Sequence, residues 1–144
     1  MNAVQFFGRL HPLVLHFPIA LLLLAAAVEV VRCLRTDPRL ARLTVLLLAL
    51  GAVGALAAAG TGWIFAHESH PEPALRATLV WHRWLGVVTA VLAVVAWLVA
   101  HRWAEDPRPG FRWIPRSISW LTAVLLAIAA HLGALIVWGA DYFS

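Results

Sequence analysis

The chain has 144 residues, of which 62% are hydrophobic and only 12% are charged, with a formal net charge of +4 and a single cysteine. This balance excludes an ordinary soluble domain, and one cysteine excludes an internal disulfide. The positive charge comes from arginines in short loops beside apolar segments, so it does not indicate nucleic-acid binding.

Four stretches are nearly free of charge, at positions 10–28, 43–66, 84–100 and 117–140. At a rise of 1.5 Å per residue, the second and fourth are about 36 Å long, which exceeds a hydrocarbon core of about 30 Å. We therefore predict an all-α integral membrane four-helix bundle. It forms a single domain over residues 1–144, with helices at approximately 12–34, 43–66, 80–101 and 116–140.

The arginines predict the orientation of this bundle. The loops after the first and third helices carry eight arginines, whereas the opposite side carries only Arg9, Arg76 and Arg83. The positive-inside rule places the arginine-rich loops in the cytoplasm and both termini outside. Tryptophans near both ends of the helices are typical of interfacial aromatic belts.

Six of the seven histidines fall in the outer half of the predicted bundle. His67 and His70 are interpreted as loop residues, His11 as a polar residue of the first turn, and His101 as an interfacial residue on the other side. The remaining three lie within or beside apolar segments, where a polar side chain is expected to face the bundle interior. They are His16, His82 and His131.

Several imidazoles near one end of a bundle suggest a bound metal or haem. Bis-histidine haem b is the first hypothesis, with His16 paired with either His82 or His131, and with His11 nearby. Arg83 is a candidate to neutralise the haem carboxylates. Copper or zinc is the alternative ligand, and purely structural histidines bonded to backbone carbonyls are a third interpretation. The chain has no Cys-x-x-Cys-His sequence, which excludes covalent c-type haem.

Small residues mark several helix faces. Gly54, Ala58 and Gly62 predict close packing of the second helix. On the third helix, small residues follow His82 along one stripe. On the fourth, Ala127, His131 and Leu135 share a face.

Glu29 is the other ionisable residue within an apolar segment. We expect it to pair with Arg32, three residues later; a proton relay is the alternative. Pro18 removes the hydrogen bond to Val14, so a bend or a late helix start is expected there.

The motifs "LHPLVLHFPIALLL", "GTGW", "WHRWLGVVTA" and "HLGALIVWGADYF" resemble, in this order, a bacterial four-helix membrane family known as a domain of unknown function. Ala134 departs from the glycine that is usual in the last motif. The resemblance covers the whole chain and implies that His11, His16, His82 and His131 are the family's histidine positions. In planctomycete-type relatives, the domain's association with c-type cytochrome modules implies electron transfer.

These observations predict a cytochrome b-like subunit, multi-pass in a bacterial inner membrane. It would hold histidine-ligated haem near the periplasmic face and pass electrons to a periplasmic c-type cytochrome or another subunit, with quinol as a candidate donor. A redox carrier is favoured over a standalone enzyme because one shallow histidine cluster offers no evident substrate pocket. The alternatives are a non-redox anchor or assembly subunit, and a copper- or zinc-binding membrane protein.

Overall fold

The computed structural model describes residues 3–35, 37–68, 72–103, 106 and 108–139. Within these ranges, four segments are helical, apolar and long enough to cross a bilayer, and we call them the first to fourth spans: Ala3–Leu34, Pro38–His67, Pro73–Trp103 and Gly110–Trp138. The predicted all-α, four-helix membrane architecture is confirmed.

The first span is divided into three helical pieces: α1 (Ala3–Arg9), α2 (His11–Val14) and α3 (His16–Leu34). It therefore begins at Ala3 rather than near position 12. The interruptions at Leu10 and Leu15 each come shortly before a proline, Pro12 or Pro18, whose ring nitrogen cannot donate the next helical hydrogen bond. Both interrupting residues keep right-handed helical dihedrals, so the chain continues in the same sense through each break.

The other spans are single long helices: α4 (Pro38–Glu68), α5 (Arg76–Trp103) and α6 (Trp113–Trp138). A short 3-10 turn precedes α5 at Pro73–Leu75, and another precedes α6 at Pro109–Arg112. Proline is well suited to a helix start, because the first N–H groups of a helix have no partner within it. α6 ends at Gly139, whose φ of 82° is a backbone conformation that glycine adopts readily.

Consecutive spans pack side by side, and α6 packs back against α3, which gives an up-and-down bundle. Small residues dominate the core, so the helix backbones approach closely. A Cβ at Gly54 would stand 2.8 Å from Cδ1 of Phe17, and one at Gly51 would stand 2.6 Å from Cδ2 of Leu22. The expected close packing of the second helix is confirmed at Gly54.

A buried charge cluster holds the arginine-rich end of the bundle together. Glu29, with 0% of its surface exposed, forms an ion pair with Arg32 and accepts a hydrogen bond from Nε of Arg116 at 3.3 Å. Arg116 also donates through Nη2 to the carbonyl of Arg32 at 2.8 Å. The expected Glu29–Arg32 pair is confirmed, and Arg116 links this pair to α6. Its participation could not be predicted because it lies 87 residues from Glu29.

Candidate cofactor site

The four spans enclose a cavity of about 390 Å³ near the end that carries most of the histidines. This volume is within the range of about 300–1,000 Å³ that is usual for small-molecule sites. Its walls are mainly alanine, glycine, leucine and other apolar residues. Polar side chains also line it: His11, His16, His82, Arg83 and Thr89.

Two of these histidines make matching hydrogen bonds across neighbouring helices. Nδ1 of His11 lies 2.9 Å from the carbonyl oxygen of Ala58, and Nδ1 of His82 lies 2.8 Å from that of Ala129. A carbonyl oxygen only accepts, so Nδ1 carries the proton in both rings. The neutral imidazole then keeps its lone pair on Nε2, which is the nitrogen available to a metal.

Each of these rings rests on a glycine. A Cβ at Gly62 would stand 2.7 Å from Cε1 of His11, and one at Gly133 would stand 2.9 Å from Cε1 of His82. Real side-chain atoms do not pack so closely, so any larger residue would displace the imidazole. Gly62, the second glycine of the "GTGW" motif, therefore positions the His11 ring against α4, in addition to allowing close helix packing.

The two imidazoles lie next to one another in the cavity lining, edge to face. Their ring centroids are 6.2 Å apart, and the ring planes are inclined by 74°. Two imidazoles that share one metal through Nε2, with metal–nitrogen bonds of about 2.0–2.1 Å, have centroids about 6 Å apart. The spacing of His11 and His82 is compatible with two imidazoles that bind one metal ion.

The other predicted histidines are placed differently. His16 lines the cavity but is exposed, and its Nδ1 donates to the carbonyl of Pro12 at 2.6 Å. His131 is exposed on the outer face of α6. The expectation that it faces the interior is wrong, because Ala129 and Gly133 face the interior and a residue two positions away points to the opposite side of a helix. Ala127 and Leu135 share a helix face with His131, as predicted, but this face does not line the cavity.

Two further histidines take no part in this arrangement. His67 and His101 are exposed and do not line the cavity. His70 lies outside the described residues.

Arg83 and Thr89 bring unpaired polar atoms to the cavity. Nε of Arg83 and Oγ1 of Thr89 are buried without a hydrogen-bond partner among the described residues. The guanidinium of Arg83 lies over the ring of Trp63, 4.0 Å from its centroid, which holds the charge beside the cavity. Buried polar atoms are normally paired, so these two are available to a ligand.

The donor set suits an axial pair better than a zinc centre. Within the described ranges, no group of three or more histidine, cysteine or acidic side chains is placed to hold a metal ion. Zinc takes three or four protein ligands, whereas haem iron needs one or two axial nitrogens from the protein.

Comparison with known proteins identifies the family. The family model described as "Predicted membrane protein (DUF2231)" matches residues 9–142. The chain belongs to this family. No curated protein and no solved structure matches the chain significantly.

In this DUF2231 chain, the sequence stretches that first suggested a family converge on the cavity. The "LHP" stretch supplies His11, "WHRW" supplies His82 and Arg83, "GTGW" supplies Gly62, and "HLGA" supplies Gly133. Sequence reasoning named both histidines but paired neither with the other. The sequence predicts His11 as a residue of the first turn, because the expected helix start near position 12 puts it at the outer start of the first helix.

Proposed function

We propose that this DUF2231 chain is a membrane cytochrome b-like electron-transfer subunit that binds haem b between His11 and His82. The proposal is carried by the neighbouring imidazoles of His11 and His82. Their ring centroids are 6.2 Å apart, and both Nδ1 atoms form hydrogen bonds to backbone carbonyls. When bound, haem iron supplies one-electron transfer.

Each protein group has a defined part in holding such a ligand. The Nδ1–carbonyl hydrogen bonds keep both imidazoles in one tautomer and one orientation, and they increase the basicity of Nε2. The apolar lining lowers the local dielectric constant, which strengthens the electrostatic interactions made inside the cavity. Arg83 supplies positive charge for a carboxylate of the ligand.

We infer from the distribution of arginines that this site lies near the periplasmic face of a bacterial inner membrane. From there the subunit would pass electrons to a periplasmic c-type cytochrome or another subunit of a membrane complex, with quinol as a candidate donor. The lipid bilayer is its immediate surrounding, and no nucleic-acid partner is proposed.

Optical spectroscopy of the natively purified chain tests the proposal. We expect a sharp α band in the reduced-minus-oxidised spectrum and haem b in a pyridine extract. His11→Ala and His82→Ala should each lose most of the band, whereas His101→Ala, which changes an exposed histidine outside the cavity, should keep it. A protein without haem, or a band that survives both cavity substitutions, would refute the haem b site.

Elemental analysis of the same preparation separates the alternatives. Stoichiometric copper or zinc without haem would indicate a metal-binding membrane protein. A preparation with neither would indicate a non-redox anchor or assembly subunit, in which His11 and His82 act only through their hydrogen bonds to α4 and α6.

A further inference from the structure

The two histidine sites repeat along the chain. The His11–Ala58 and His82–Ala129 hydrogen bonds each join residues 47 positions apart. The glycines beneath the two rings, Gly62 and Gly133, have the same separation in sequence as the two histidines. A histidine, a carbonyl and a glycine thus recur together after 71 residues, in the first two spans and again in the last two.

The same offset relates the buried residues of α3 to those of α5. Leu22, Ala25 and Glu29 correspond to Ala93, Ala96 and Ala100, and all of these residues are buried. Each half of the chain is a hairpin of two spans, so both hairpins run in the same direction through the membrane. Parallel repeats of this kind are related by a pseudo-two-fold axis along the membrane normal.

This axis passes through the cavity, because most of the lining residues form pairs at the same offset. Besides the histidines and glycines, the pairs include Ala59 with Ala130, and Ala55 with Leu126. Each half of the chain therefore contributes the same wall positions, and the ligand lies where the two half-sites meet.

The halves differ chemically at a few of these paired positions. Pro12, Leu15 and Pro18 in the first half correspond to Arg83, Gly86 and Thr89 in the second. A Cβ at Gly86 would meet nothing within 4 Å, so the cavity is wider on this side. The unpaired Nε of Arg83 and Oγ1 of Thr89 are on the same side.

Among the buried hydroxyls that the structure describes, that of Thr89 differs from the others. Thr44, Ser119 and Thr122 each donate to the carbonyl four residues earlier, which is the usual arrangement in a helix. Thr89 has 2% of its surface exposed and makes no such bond in the described structure. Its hydroxyl is left for a group inside the cavity.

We propose that the cavity consists of two equivalent half-sites for one ligand, and that Arg83, Gly86 and Thr89 select one of the two orientations that the pseudo-two-fold axis allows. This inference rests on the proposed function, because the ligand considered is haem b. The haem has its own approximate two-fold axis in the porphyrin plane, between its two carboxylate-bearing side chains. Coincidence of the two axes gives two bound forms that differ by a half-turn, with the unpaired groups of the second half favouring one.

Proton NMR of the haem-loaded, low-spin ferric protein in detergent micelles measures this selection. Each orientation gives its own set of shifted haem methyl resonances, so we expect two sets of unequal intensity or one set alone. Gly86→Leu gives the second half the leucine that the first half already has at position 15, and it should bring the ratio closer to equality. Gly60→Leu is the matched control, because a Cβ there also meets nothing within 4 Å and Gly60 does not line the cavity.

Arg83→Gln tests the effect of the Arg83 charge on the ratio of the two orientations, and Thr89→Val tests the effect of the Thr89 hydroxyl. Both should shift the ratio by about twofold or more, whereas Arg102→Gln, at the exposed far end of the same helix, should not. A symmetric haem, in which a half-turn changes nothing, should give one set of resonances in every variant.

Three outcomes would contradict the inference, and they are distinguishable. A ratio that is unchanged in all cavity variants, with haem bound, would overturn orientation by the second half while leaving the haem site intact. Two sets of resonances with the symmetric haem would show that the two forms are not related by a half-turn of the haem, which would overturn the two equivalent half-sites. Absence of haem from the wild-type chain would overturn both this inference and the proposed function.

Discussion

The imidazole of His11 depends on the absence of a side chain at Gly62. An added Cβ would stand 2.7 Å from Cε1 and 2.9 Å from Nδ1 of the ring, and Gly133 has the same relation to His82 at 2.9 Å and 3.3 Å. These two glycines therefore determine where both Nε2 lone pairs lie. Loss of either should affect the ligand more than it affects the helix.

Gly62→Ala and Gly133→Ala should each displace one ring from its carbonyl. We expect a cost of about 1–3 kcal/mol from overpacking and loss of most bound haem, measured by the α-band intensity per chain. Gly60→Ala, on the same helix as Gly62 and with nothing within 4 Å of the new Cβ, should retain haem and gain helix propensity of up to about 1 kcal/mol. Equal haem retention in all three variants would show that the glycines do not position the rings.

Glu29 is the acceptor on which two buried arginines converge. Glu29→Gln should leave both guanidinium groups with insufficient negative charge, and breaking a buried ion pair in this way costs about 3–5 kcal/mol. The free energy of unfolding, from denaturation in mixed micelles, measures the loss. Glu72→Gln, which changes an exposed carboxylate in a loop, should alter it by less than about 0.5 kcal/mol. A small effect at Glu29 would mean that the cluster contributes little net stability.

At the level of whole helices, composition and length were sufficient to predict the four spans. Apolar runs such as 43–66 are long and uninterrupted, and each observed span contains most of the predicted range. Helix starts were harder to predict, because a proline near the start of an apolar run has two interpretations. Pro12 marks the first turn when nothing helical precedes it, but here α1 comes before it.

The rotation of each helix about its axis limited the prediction of the site. On α6, Ala129 and Gly133 face inward. The sequence instead predicts an inward-facing His131, because a polar side chain in an apolar segment is expected to face the bundle interior. Pattern alone could not decide between these faces, since alanine, leucine and glycine occur on both. The contacts between helices that are far apart in sequence, such as His82 with Ala129, depend on tertiary packing.

The loop between α5 and α6 contains an ionisable pair whose behaviour can be measured directly. Arg108 donates from its side chain and its backbone N–H to the carboxylate of Asp106, and these bonds lower the pKa of Asp106 from 3.8 to about 2. Because the pKa is lowered, the pairing is complete at neutral pH and is lost only as the pH falls through about 2.

Arg108→Gln should raise the pKa of Asp106 toward 3.8, as followed by an NMR titration of the carboxyl carbon. Arg102→Gln should raise the pKa less, because Arg102 acts on Asp106 only through charge at a distance. A titration midpoint that does not move in the Arg108 variant would show that the two side chains are not paired in solution.

For the whole molecule, the distribution of arginines predicts which end of the bundle faces the cytoplasm. Replacement of the single cysteine, Cys33, by serine provides a background for new labelling sites. Arg39→Cys places an exposed thiol at the start of the second span, and Glu72→Cys places one in the loop that follows its other end. A membrane-impermeant maleimide should label position 72 in intact spheroplasts and position 39 only in inverted vesicles. The reverse pattern would place the histidine cavity on the cytoplasmic side.

The two histidine–carbonyl bonds also have a consequence that does not require a ligand. Each hairpin is closed by a covalent loop at the arginine-rich end. Near its other end, the bond from His11 to Ala58 or from His82 to Ala129 ties its two spans together in addition to their packing. These bonds, worth about 0.5–1.5 kcal/mol each, turn both hairpins into closed rings. The histidines thus limit fraying of the open ends before anything is bound, and a ligand held between them would join one ring to the other.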